Sequence, residues 1–156
     1  MQNLHRAIST HGVDIVEHGE LFVPAGRGRT TFLDARDVAE AVRLILAEPD
    51  AHAGRTYTLT GSETLDMDGV AQIVSAALER PVRYARPGAL RFAGRLLRRG
   101  VTWDTVAFMA GVYTLTRFGR NDVVTTDLPK LLGRPATPMA DWARDHRRVF
   151  DTRAWT

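Results

Sequence analysis

Apolar positions recur at three- and four-residue steps along most of this chain, whereas alternating stretches are few and short. Leu4, Ala7 and Ile8 predict a short helix over Met1 to Thr10 that no capping residue precedes. E-L-F-V-P predicts a short strand ended by Pro24, P-A-G-R-G-R a turn, and T-T-F-L-D a second strand. Asp37, with Glu40 three residues on, predicts a capping box and a helix running to about Glu48. Its buried stripe would be Val38, Ala41, Val42, Ile45 and Leu46, and Pro49 would close it. The β-branched and aromatic run R-T-Y-T-L-T-G predicts a strand over residues 55–61. Asp66 then caps a helix with the stripe Met67, Val70, Ile73, Val74, Ala77 and Leu78, and P-V-R-Y-A reads as a short strand. From Pro87 onward the spacing is helical over residues 88–99, 103–118, 127–132 and 138–149, the last with Thr137 as cap and Pro138 at the first helical position.

This order predicts one α/β domain of 156 residues, an α/β part over residues 1–86 followed by a helical part over 87–150. A chain of this length can bury roughly 70% of its unfolded surface. The absence of cysteine removes disulfides, thiolate nucleophiles and zinc–thiolate sites, and fits a reducing compartment. No stretch resembles a signal peptide or reaches the roughly 20 apolar residues that cross a bilayer, so a cytoplasmic location without a membrane partner is expected. The net charge of +3 points toward nucleic acid only until one sees that Lys130 is the single lysine among 21 basic residues. Such a skew reflects codon composition better than a phosphate-binding surface. Arg91, Arg95, Arg98 and Arg99, opposite Leu90, Ala93, Leu96 and Leu97, predict a solvated helix face, and no nucleic-acid partner is expected.

Candidate chemistry is sparse. Gly26 and Gly28 imitate a dinucleotide fingerprint, but a third glycine and a helix are missing where Thr31 and a strand follow, so they predict a turn. Tyr113 and Arg117 imitate a Tyr-x-x-x-Lys pair, yet arginine does not exchange its proton, and core packing accounts for them better. The five histidines show no metal-ligand spacing, and Ser9, Ser62 and Ser75 have no local base. Asp37 has a ready structural role as a cap. Asp34, at the carboxyl end of a strand where open α/β sheets place their ligand crevice, is the better functional candidate.

The run P-A-G-R-G-R-T-T-F-L-D-A-R-D-V-A-E-A-V, then A-G-R-T-Y-T-L-T-G, then D-L-P-K-L-L-G-R-P-A-T-P-M-A-D-W-A-R-D-H resembles the carboxyl-terminal half of NmrA-like proteins, atypical short-chain dehydrogenase/reductases. The resemblance covers nearly everything from Gln2 to Phe150. It implies a partial Rossmann-like fold with a mostly helical carboxyl-terminal region. It also implies kinship with NAD(P)H-dependent quinone reductases and with regulators that sense dinucleotide redox state. The family's glycine loop and first parallel strands would lie before Met1. The resemblance makes Asn3 the candidate facing the cofactor, and places Phe32 and Asp34 on the substrate side. Gly69 stands where the family often has a capping glutamate. Without the loop, tight NAD(P)H binding and catalysis by this chain alone are not expected. A partial sheet would expose an edge and an apolar face, so a homo-oligomer or a partner chain is expected. The alternative is a non-catalytic redox-sensing or protein-interaction module.

Overall fold

The computed structural model describes residues 12–150, so Asn3 and the helix expected over Met1 to Thr10 lie outside the described residues. Helix α1 covers residues 12–18 and leads into strand β1 (Glu20–Leu21). The turn at Gly26 and Arg27 precedes β2 (Arg29–Thr31), followed by α2 (Ala35–Ala47) and the single turn α3 (Pro49–His52). Next come β3 (Thr64–Asp66), α4 (Met67–Leu78) and β4 (Arg83–Tyr84). Helices α5 (Ala89–Arg98), α6 (Trp103–Arg117), α7 (Asp127–Leu132) and α8 (Met139–Asp145) follow, with a 3-10 turn at Arg147–Phe150.

Among the described residues the strands form two separate pairs: β1 lies parallel to β4, and β2 antiparallel to β3 with Arg29 opposite Asp66. Helix α4 organises the main core. Val70, Ala71 and Val74 meet Leu21, Val23, Trp142 and Ala143, which joins α4 to β1 and α8. As the spacing predicts, α4 begins where the Asp66 carboxylate accepts from the Gly69 amide at 2.8 Å. The glycine that replaces the family's glutamate there leaves this cap intact. Ser75 donates its hydroxyl to the Ala71 carbonyl and accepts from the Val82 amide, tying the end of α4 to the chain entering β4. A second core joins Phe22 to Phe92, Leu96 and Val106, and a third joins Ala41 to Leu128 and Ala136.

Six expectations are corrected. Residues 55–61 run outside any ladder, and at Thr58 the side chains of Asp127 and Thr125 take the backbone groups instead. Asp127 accepts from the Thr58 amide at 2.8 Å, and the Thr125 hydroxyl donates to the Thr58 carbonyl. The antiparallel partner of β2 is therefore β3. Helix α2 begins at Ala35 with Asp34 as its cap, three residues earlier than the Asp37 capping box implies. Within α2, Val42 and Leu46 are exposed, which narrows the expected stripe, and Pro49 opens α3 instead of ending the helical region. Thr137 is not a cap: Pro138 holds that position, while the Thr137 amide and hydroxyl both donate to Asp37. On α5, Arg95 and Arg99 turn inward and Leu90 is 90% exposed, so the helix is rotated from the expected orientation.

Candidate functional site

The turn from β2 into α2 carries the candidates Phe32 and Asp34. Phe32 is half-buried and packs against the main core, and its backbone touches Gly61 so closely that a Cβ there would sit 2.0 Å from the Phe32 carbonyl oxygen. Only glycine permits that approach, which holds the unpaired segment 55–61 against the turn. Asp34 is 5% exposed and does have a structural role. Its Oδ1 accepts from the Arg36 amide at 2.8 Å, and the Arg36 guanidinium reaches Oδ2 at 2.7 Å. Burial pushes the Asp34 pKa up. The Arg36 hydrogen bonds and charge, with a contribution from His146, outweigh that and hold the carboxyl below its ordinary range. Arg36 also bonds Asp145 at 2.8 Å, so one guanidinium clasps the start of α2 to the end of α8. The same two carboxylates hold the Arg36 pKa well above its ordinary value. His146 stacks on Trp142 at 4.9 Å beside this clasp.

Asp37 is 1% exposed and accepts from Arg134 at 2.7 Å and from the Thr137 amide at 2.6 Å. It fastens the segment before α8 to α2. Asp14 on α1, also 1% exposed, accepts from Arg95 at 2.6 Å and from both terminal nitrogens of Arg99. Burial opposes ionisation of Asp14, but hydrogen bonds from Arg99 and Arg95 prevail and lower its pKa. The Arg95 guanidinium also lies 3.4 Å from the centre of the Phe22 ring. The sequence reading missed α1 and therefore Asp14. The available signal was an acid next to Ile15 in an apolar stretch, together with arginines four apart on α5.

These three carboxylates are charge-neutralised clasps, and their chemistry is positioning rather than proton transfer. Tyr113 behaves likewise. Its ring packs edge-on against Phe92 at 5.6 Å, and burial pushes its phenol pKa up, the opposite of what a catalytic tyrosine base needs. The stem of Arg117 lies against Gly26. Among the described residues no group of three His, Cys, Asp or Glu side chains is arranged to hold a metal. No helix among them is long and apolar enough to cross a membrane.

The implied dinucleotide is testable against these residues. A pyrophosphate needs free amides at a helix start and no negative charge there. The β2–α2 and β3–α4 junctions place a carboxylate on those amides, Asp34 on Arg36 and Asp66 on Gly69, each at 2.8 Å. Those two helix starts do not fit a phosphate cradle, whereas α5 begins after Gly88 with no side-chain cap and no acid in its first turn.

No family model matches the chain. An NAD(P)H azoreductase of Xenophilus azovorans is 32% identical over 136 residues, 87% of this chain and 47% of the relative. A Citrobacter sp. triphenylmethane reductase, solved with NADP(H), superposes with a TM-score of 0.78 at 24% identity over 87% of this chain and 48% of its own. An NADPH-dependent quinone oxidoreductase of Escherichia coli gives a TM-score of 0.80 at 22% identity, over 90% of this chain and 50% of its own. Over nearly its whole length the chain is similar to the carboxyl-terminal half of these reductases, in keeping with the NmrA-like resemblance. It spans about half the length of the curated relatives it matches, and the match falls on their carboxyl-terminal half. The architecture is accordingly that of a partial Rossmann-like NAD(P)-binding fold. In this half, the clasps at Asp14, Asp34 and Asp37 hold the surrounding helices in register.

Proposed function

We propose that this chain supplies the substrate-side half of an NAD(P)H-dependent oxidoreductase acting on a small conjugated electrophile such as a quinone or an azo compound. The observation that carries the reading is the match itself: relatives named for such reductions align along nearly all of this chain and only half of themselves. The carboxylates at the β2–α2 and β3–α4 junctions support a division of labour, in which the phosphates are gripped elsewhere and this half walls the substrate. On this reading Phe32 is the side chain that the turn offers to the cleft. Asp34 acts one step back, orienting the turn through Arg36.

Calorimetric titration with NADPH tests the proposal. The chain by itself is expected to show no saturable binding, whereas fusion behind a glycine-loop half from a family member is expected to bind NADPH and reduce a quinone. Tight binding by the chain alone, or a folded fusion without quinone turnover, refutes it.

A further inference from the structure

Helix α6 is apolar nearly all round, with Asp104 and Arg117 its only charged residues. A helix of that composition is ordinarily enclosed on every side. One face is enclosed: Val106 is buried, and Met109 and Tyr113 pack with it against Phe22 and Phe92. The opposite face is open. Phe108, Val112 and Leu115 are 62%, 39% and 53% exposed, Gly111 lies between them, and Phe118 continues the surface at 74%.

These positions are symmetric about the middle of the helix. In an antiparallel pair centred between Gly111 and Val112, Phe108 of one copy meets Leu115 of the other, and Gly111 meets Val112. The small residue at the crossing lets the two backbones approach. The charges agree with that arrangement. Asp104 at the amino end of one α6 comes beside the turn carrying Arg120 at the carboxyl end of its mate, and neither residue has an ion pair among the described residues. Antiparallel helix dipoles add to the attraction.

We infer that the outer face of α6 is a self-complementary docking surface for a second copy of this chain, forming a two-fold antiparallel helix pair. Both copies use the same patch, so the contact closes at two.

Sedimentation velocity over a concentration series, with far-UV circular dichroism as the control for folding, tests the inference. The chain is expected to show a monomer–dimer equilibrium. Phe108→Glu and Leu115→Lys, both at exposed positions, are each expected to weaken dimerisation at least about ten-fold with an unchanged spectrum. The two single variants mixed, or both changes in one chain, are expected to regain it, because residue 108 faces residue 115 across the axis. A chain that is monomeric throughout, association that survives Phe108→Glu, or failure of the pair to restore dimers would each overturn the assignment. An Asp104→Arg change is expected to weaken the dimer, and Arg120→Asp in the same chain to recover part of the loss.

Discussion

Helices α4 and α6 draw on the same kinds of residue and meet opposite fates. Helix α4 has its Met67, Val70, Ala71 and Val74 buried against β1 and α8 of the same chain. Helix α6 buries Val106 and Thr116 and leaves Phe108 and Leu115 in the open. The difference lies not in helical propensity but in how many neighbours this chain provides. An apolar face is legible in the sequence, whereas only the arrangement of elements says whether the same molecule covers it.

The largest expected effect is at the packed end of that comparison. Trp142→Ala, at the α4–α8 contact, should cost about 3 kcal/mol in denaturant unfolding, because it opens a cavity under a side chain only 7% exposed. A loss below about 1 kcal/mol would show that the main core is looser than its burial implies.

The next concerns how the α5–α6 pair is held to the body. Asp14→Ala removes the acceptor that Arg95 and Arg99 share and should cost about 2 kcal/mol, since both arginines keep partial access to water and Arg95 still lies 3.8 Å from Glu20. Hydrogen exchange should quicken in α5 and α6 well before α4. Equal acceleration in all three would mean that the hairpin and body open as one unit.

The acid limb of stability follows from Asp14 and Asp34, whose pKa values are lowered in the fold. Both contribute stability in full above the unfolded carboxyl pKa of about 4, and lose it as pH falls through the lower folded values. Melting curves between about pH 5 and pH 2 should show a steeper decline in the natural chain than in Asp14→Asn, where one of the two titrations is gone.

At the turn, Asp34→Ala should cost about 1 kcal/mol as a lost cap. The smallest effect belongs to the open surface: Phe108→Ser should change the stability of the dilute monomer by less than about 0.5 kcal/mol. A larger loss would mean that the outer face of α6 is covered even in one copy.

The amino-acid sequence by itself determined the elements whose signals are local: the Asp66 cap and the stripe of α4, the turn at Gly26, and the helical tail from α5 to α8. The order and spacing of its motifs also carried the family resemblance, because residues such as those of the β2–α2 turn are read in sequence without knowing what they touch. Tertiary structure alone decided which acid caps α2. The local pattern favours Asp37, with Glu40 three residues on, yet Arg134 and Thr137, about a hundred residues away, claim Asp37 and leave the cap to Asp34. It also decided that residues 55–61 form no ladder, and at Thr58 Asp127 and Thr125 take the backbone bonds that a neighbouring strand would have made. It rotated α5 so that Arg95 and Arg99 reach Asp14, because a buried charge must be answered from wherever a counter-charge can arrive. Caps and stripes depend on neighbours a few residues away. Charge partners and open faces depend on where the whole chain has folded, and no local pattern encodes that.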